Sequence, residues 1–242
     1  MGLDVIGKPL TLLSLAMPLA LAQPAEFDVV SILPNHTGEQ SYSIRTPPGG
    51  RFTARNITVK TLILYALDIK DFQLANLPGW CDSERYDIEA KSSTQTTIGP
   101  EQLRPLIRKV LESRFLLAVH RETKDLALYS LVESKGGAKL HPNTGIPTHS
   151  TDWGSDHINA IAVTVAEFGR LLEAQLDRVV VNDTGIQGAF DFRLTWASDQ
   201  KPDAPGPSLF TAIQEQYGLK LESKKGPVAI TVVDRVERPS AN

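Results

Sequence analysis

The chain has 242 residues, of which 25 are basic and 28 acidic, and it contains one cysteine, Cys81. This mild charge balance, without a Lys/Arg cluster, argues against a nucleic-acid-binding surface. A single cysteine excludes an internal disulfide, so the packed core must supply the stability.

Residues 1–22 have the pattern of a secretory signal peptide. Lys8 precedes an apolar run that ends in Ala20-Leu21-Ala22, the small-x-small pattern read by signal peptidase. The run is too short to span a bilayer comfortably and contains two prolines. We therefore expect a cleaved leader, rather than an uncleaved anchor or a buried first helix, and a secreted or periplasmic protein without a later transmembrane segment.

After the leader, the pattern predicts four helix-then-hairpin units. In each unit, apolar residues at helical spacing are followed by an alternating strand, a turn and a second strand. Strands are also predicted near 27–33, 42–45, 51–54 and 157–162. The helix and first strand of the four units are 58–67 with 71–74, 101–111 with 114–120, 164–176 with 178–181, and 208–217 with 218–222.

These units predict an α+β fold with antiparallel sheets and helices packed on one face. The second hairpin would turn at 121–125 and the fourth at 223–227. A segment rich in Gly, Pro, His, Ser and Thr divides the mature chain. We predict an N-terminal half at 23–138, a linker loop at 139–154 and a C-terminal half at 155–242.

The sequence contains no catalytic motif that we recognise. It has no nucleophile elbow, zinc-protease helix, phosphate loop, calcium loop or dinucleotide fingerprint, so no cofactor is predicted. Metal-ligand types do concentrate in one stretch, at His141, His149, Asp152, Asp156 and His157. Their spacing matches no closed zinc site, which favours solvated loop residues over a metal centre.

The best candidates for a binding surface follow Pro78-Gly79. Trp80, Arg85 and Tyr86 are residue types that dominate binding hot spots. Core packing of Trp80 and Tyr86 is the favoured alternative. Cys81 is predicted to be a small buried apolar residue rather than a nucleophile.

Seven stretches of the chain have a familiar sequence: 48–52, 78–90, 114–123, 183–192, 206–216, 218–227 and 234–242. Together they resemble a family of exported, uncharacterised proteins from soil bacteria, chiefly Acidobacteria. The resemblance implies export but no catalytic residues, since that family has no established activity. In pattern alone, the helix-strand-strand unit is also similar to the short N-terminal domain of secretins and TonB-dependent receptors.

The sequence thus favours a non-catalytic interaction module that binds envelope proteins or a small ligand. A partner strand adding to a sheet edge is one mode that such a fold permits. Two alternatives remain: a secreted hydrolase or metal-dependent enzyme that uses the 141–157 loop, and an extracytoplasmic ligand-sensing domain.

Overall fold

A computed structural model describes residues 26–92, 97–145, 148–198 and 206–240. The predicted leader at 1–22 lies outside the described residues. The described part is an α+β fold with three four-stranded sheets. Its strands are β1 (Val29–Asn35), β2 (Ser43–Arg45), β3 (Arg51–Thr58), β4 (Leu74–Ala75), β5 (Arg85–Lys91), β6 (Ala118–Glu133), β7 (His141–Pro142), β8 (Ser150–Trp153), β9 (His157–Val163), β10 (Val180–Asn182), β11 (Phe190–Thr195) and β12 (Leu219–Arg235). Its helices are α1 (Val59–Leu67), α2 (Trp80–Ser83), α3 (Pro100–Arg114), α4 (Val165–Leu172) and α5 (Leu209–Tyr217).

The first lobe consists of β1, β2, β3 and β5 with α1 and α3. Its sheet is antiparallel in the order β1-β5-β3-β2. Helix α1 begins after Thr58, whose hydroxyl accepts a hydrogen bond from Thr61 N at 3.2 Å, a typical N-cap. Apolar residues of both helices pack with Phe52 and Ile88 of the sheet into one core.

The second lobe consists of β7, β8, β9 and β11 with α4 and α5. Its sheet has the matching order β7-β11-β9-β8. Helix α4 begins with a capping box, in which Thr164 Oγ1 accepts from Glu167 N and the Glu167 carboxylate accepts from Thr164 N. Phe168 of α4 stacks on Phe192 of β11 with ring centroids 4.0 Å apart, at the centre of the second core.

The two lobes repeat one local device, a bulge in the strand that precedes the capped helix. Asn56 of β3 and Ala162 of β9 both have left-handed backbone, with φ of 53° and 57°. The strand pairing shows which residues of the two lobes are equivalent. Tyr86 lies opposite Pro34 and Ile57, and Phe190 lies opposite Pro142 and Val163. The equivalent residues include Asn35 and Asn143, Asn56 and Ala162, Arg85 and Ala189, Tyr86 and Phe190, and Asp87 and Asp191.

One carboxylate holds each bulge. Asp87 Oδ1 accepts from Asn56 N at 2.9 Å and from Asn35 Nδ2 at 2.8 Å. In the second lobe, Asp191 Oδ1 accepts from Ala162 N at 3.0 Å and from Asn143 Nδ2 at 2.8 Å. In both lobes, the aspartate carboxylate therefore satisfies the extra backbone donor that the bulge creates.

The long strands β6 and β12 form a central antiparallel ribbon that joins the lobes. Short β4 pairs parallel with β12 near one end of the ribbon, and β10 pairs parallel with β6 near the other. Strand β6 leaves the first lobe and places Leu131 in the second core. Strand β12 leaves the second lobe and places Val233 in the first core.

The prediction of four helix-then-hairpin units is not confirmed. Residues 121–125 and 223–227, predicted as turns, are the middle of β6 and β12, where Asp125 lies opposite Pro227. The ribbon is solvated there, so its composition is as polar as that of a turn. The other two units also lack hairpins, because β4 and β10 pair with the ribbon while β5 and β11 pair within the lobes. Segment 139–154, predicted as a linker, carries β7 and β8.

Candidate functional site

An open cleft of about 800 Å³ lies beside the first lobe. It lies between the end of β1 with the following loop, the junction of α2 and β5, and the segment that follows β12. Of the predicted binding residues, Arg85 and Tyr86 line it. The lining residues used below are Ile32, Pro34, His36, Glu39, Ser83, Glu84, Arg85, Tyr86, Arg238 and Pro239.

The loop wall of the cleft is fixed by two asparagines. Asn35 Oδ1 accepts from Thr37 N at 2.9 Å, which turns the chain at the end of β1. Asn56, only 2% exposed, donates from Nδ2 to the carbonyls of Glu39 and Ser41, both at 2.7 Å. The bulge that shapes the sheet therefore also anchors the cleft wall.

The opposite wall of the cleft contains Arg238, which follows β12 in the chain. Its guanidinium meets the Glu84 carboxylate, with Nη2 2.6 Å from Oε1 and Nε 3.0 Å from both oxygens. The same guanidinium lies over the Trp80 ring, 4.9 Å from its centroid. Trp80 also packs against the first core, as the alternative of core packing predicted, and its role in binding stays a prediction.

Glu84 and Tyr86 complete this polar wall. The hydrogen bond from Arg238, together with that from Tyr86, outweighs desolvation and lowers the pKa of Glu84. Tyr86 is 4% exposed and donates its hydroxyl to Glu84 Oε2 at 3.0 Å, and its ring packs edge-on against Phe115. Burial, followed by the bond to Glu84, raises the pKa of Tyr86 to about 12. Tyr86 is therefore a neutral, buried donor.

Arg85 is the cleft cation without a carboxylate partner among the described residues. It is partly buried, and its Nη1 donates to the backbone carbonyl of Asn56 at 2.9 Å. The neighbouring Glu84 is already occupied by Arg238 and Tyr86. Nε and Nη2 of Arg85 therefore keep their hydrogen-bonding capacity for another acceptor.

Cys81, at the back of this region, is fully buried as predicted. Burial raises the pKa of its thiol to about 12. Since the thiolate is the reactive form, Cys81 is not placed or charged to act as a nucleophile.

The candidate metal ligands do not converge. His157 lies between two carboxylates, with Nδ1 2.8 Å from Asp156 Oδ1 and Nε2 3.2 Å from Asp152 Oδ2. Because the two ring nitrogens point apart, these carboxylates stand on different sides of the ring rather than around one point. The described residues contain no cluster of three or more such side chains suited to a metal.

The other two candidates are elsewhere in the second lobe. His149 Nε2 lies 4.0 Å from Glu167 Oε1, beside the capping box of α4. His141 lines a separate depression of about 450 Å³ together with Asp191, Arg193 and Tyr217. Neither contact places these histidines with His157.

Comparison with known proteins identifies a family. A family model described as a protein of unknown function (DUF3738) matches residues 60–236, well over half of the chain. The chain belongs to this family. No curated protein matches the chain, and no solved structure does. The matched range runs from α1 to the end of β12, so it contains Glu84, Arg85 and Tyr86.

Part of each wall lies outside the family match, since Asn35 with its loop precedes residue 60 and Arg238 follows residue 236. The sequence indicated Trp80, Arg85 and Tyr86 because they are close together along the chain. It gave no signal for Arg238, which meets Glu84 across 154 residues.

Among the described residues, no helix is long and apolar enough to cross a membrane.

Proposed function

We propose that this protein is an exported, non-catalytic binding module that acts in the periplasm or outside the cell and holds its ligand in the cleft of the first lobe. The observation that carries the binding proposal is the cleft itself. Its walls are fixed by internal hydrogen bonds, and it contains a partly buried arginine without a carboxylate partner among the described residues. Concave sites with a few fixed polar groups are the usual form of a ligand site.

The serine and cysteine side chains near the cleft support the non-catalytic part of this proposal. Ser83 Oγ donates to the carbonyl of Gly79 at 3.3 Å, so its hydroxyl is bonded to the backbone rather than to a base. Cys81 is buried behind the wall with a raised thiol pKa. An activated nucleophile needs an adjacent base or a lowered pKa, and neither group has one here.

A screen of small fragments by thermal shift, with hits located by NMR, tests the binding proposal. Ligands that bind the folded state raise its apparent stability. We expect the hits to perturb resonances of the cleft and to be lost in Ser83→Trp, whose large side chain fills the mouth. Gln187→Trp is the matched control, because Gln187 is exposed at the equivalent position before β11. Hits that survive Ser83→Trp, or that map elsewhere, would contradict the proposal.

Export is supported by the leader pattern at 1–22 and needs its own test. We expect the full chain, expressed in a bacterium with a Sec pathway, to reach the periplasm or medium with Gln23 as its first residue. Replacing Ala20 and Ala22 by leucine should block cleavage, because signal peptidase requires small residues there. Uncleaved wild-type protein in the cytoplasm would refute export.

A second candidate function, binding an envelope protein by strand addition, rests on β1. This strand is seven residues long and stands at the edge of its sheet, with Val29 and Leu33 64% and 57% exposed. Open, apolar edges are templates for a partner strand. If such a partner binds, Val29→Lys with Leu33→Lys should abolish its capture from envelope extract while Ser83→Trp should not. The opposite pattern would favour the cleft.

A further inference from the structure

Arg85 has no charged counterpart in the second lobe, although the two lobes share their local fold. The second lobe builds the same bulge, the same aspartate bridge and the same strand order with Ala189 at the equivalent position. It also has Gly188 where the first lobe has Glu84. A charged residue that one repeat carries and the other omits is explained better by a ligand than by folding.

A hydrogen bond to the backbone orients the guanidinium of Arg85. Its Nη1 bond goes to the carbonyl of Asn56, the buried residue at the centre of the bulge. An arginine fixed in this way presents its Nε and Nη2 donors side by side, which matches the two oxygens of a carboxylate. Because Arg85 is held before any ligand arrives, little side-chain entropy is lost on binding.

The remaining charges of the cleft limit the charge of the ligand. Arg238 is neutralised by Glu84, which leaves Arg85 as the cation for an anion to meet. Glu39 and His36 are exposed on the loop after β1. A dianionic phosphate would need further donors from cations that are already paired, whereas a single carboxylate needs one guanidinium edge.

The apolar part of the lining comes from Ile32, Pro34 and Pro239. These side chains offer an apolar ligand portion a surface next to the anchoring cation. We infer that the cleft binds a monocarboxylate with an apolar portion, its carboxylate paired with the Nε and Nη2 edge of Arg85. This inference rests on the proposed binding function and specifies the ligand class.

A matched set of probes tests the ligand class. The acids are 4-phenylbutyrate, for a free organic acid, and N-acetyl-Phe-Leu, for a peptide C-terminus. Their neutral counterparts are 4-phenylbutyramide and the peptide C-terminal amide, and inorganic phosphate is the dianion. Calorimetry and NMR shifts should show at least one acid bound about tenfold more tightly than its amide. The stronger acid then distinguishes the two sources of the carboxylate.

Arg85→Gln removes the charge but keeps a side-chain donor for the Asn56 carbonyl. It should bind acid and amide equally, whereas Arg121→Gln, the same charge change at an exposed residue of β6, should keep the wild-type preference. Urea unfolding of both variants checks that they fold. Equal binding of acid and amide by the wild type, a preference that survives Arg85→Gln, or stronger binding of phosphate would overturn the inference.

The outcomes separate the inference from the proposed function. If neutral fragments bind in the cleft and lose binding in Ser83→Trp while both acids fail, the cleft is a binding site but not a carboxylate site. If no probe and no fragment binds in the cleft, both the ligand class and the binding proposal fall.

Discussion

The two lobes share a sheet order, a bulge and an aspartate that holds it, but they differ at the cleft, which lies beside the first lobe. Asp87 and Asp191 make equivalent bonds, and both strand pairs place an aromatic ring next to the bulge. The first lobe adds Arg85, Glu84 and the wall supplied by Arg238, where the second has Ala189 and Gly188. Features that both lobes share are therefore explained by the fold, whereas features of the first lobe alone are explained by the function of that lobe.

The largest expected effect distinguishes the two cores. Phe192 is fully buried, stacks on Phe168 and lies edge-on to Tyr217, while its counterpart Ile88 is a buried aliphatic residue of the first core. We expect Phe192→Ala to cost about 4 kcal/mol and Ile88→Ala about 3 kcal/mol of unfolding free energy, through lost burial and residual cavities. Urea unfolding followed by circular dichroism measures both. A loss below about 1 kcal/mol at either site would contradict this packing.

Helices α3 and α5 precede the two ribbon strands, and each is followed by a residue with left-handed backbone. The residue type differs between the two places. Gly218, after α5, has φ of 62°, and a Cβ there would lie 2.0 Å from the carbonyl oxygen of Gly137. Gly218→Ala should therefore cost about 3 kcal/mol, from left-handed strain together with backbone displacement.

At the equivalent place after α3, Leu116 has φ of 51° with an exposed side chain. Leu116→Gly should remove strain and change the unfolding free energy by less than about 1 kcal/mol, in the stabilising direction. Thermal and urea unfolding of this variant and of Gly218→Ala test the pair. A strong loss for Leu116→Gly would show that its side chain has a role beyond the helix end.

Acid stability should depend on both bulge aspartates. Burial opposes the charge on Asp87, but bonds from Asn56 N, Asn35 and Arg55 outweigh it and lower its pKa. Bonds from Asn143 and Ala162 N lower the pKa of Asp191. Stability from each is complete above the unfolded value of about 4 and is lost as pH falls through the lowered folded pKa.

Asp87→Asn should cost about 2 kcal/mol at pH 7, because it weakens hydrogen bonds to a charged group, and should flatten the decline of stability below pH about 4. Asp191→Asn should likewise reduce the loss of stability below pH about 4. Urea unfolding between pH 2 and 7 measures both. An acid limb identical to that of the wild type in either variant would contradict the shared role.

The smallest effect concerns His157. Hydrogen bonds to Asp156 and Asp152 raise its pKa, whereas the first lobe carries the permanently charged Arg51 at the equivalent position. The associated stability is present below the unfolded value of about 6.5 and is lost as pH rises through the folded pKa. NMR titration of the ring protons should give a pKa above 6.5. His157→Gln should remove this pH dependence, and an unshifted titration would refute the contact.

The sequence predicted the local elements well because local residues determine them. Thr58, Thr164 and Ser208 cap the helices α1, α4 and α5, as their position before apolar helical spacing indicated. The pairing of the strands was beyond this approach. Polar residues at 121–125 and 223–227 have the composition of turns, and only the long-range register shows that they face each other in an exposed ribbon.

The same limit applies to the site. Arg85 and Tyr86 could be selected from sequence because aromatic and arginine residues cluster there. The alternative of core packing was correct for the Tyr86 ring, and nothing local showed that its hydroxyl faces Glu84. The bonds from Asn56 to the loop at Glu39 and from Arg238 to Glu84 join residues that are 17 and 154 positions apart. Contacts of that separation carry no signal in a single sequence.

The crossing of β6 and β12 affects how the protein is made. The first core contains Val233, so this core is complete only after β12 has emerged from the ribosome. Domains whose contacts are local fold during synthesis, whereas this topology delays closure and raises the contact order. A chain that remains incompletely folded until β12 is available could still pass through a translocation channel. This agrees with the export that we propose.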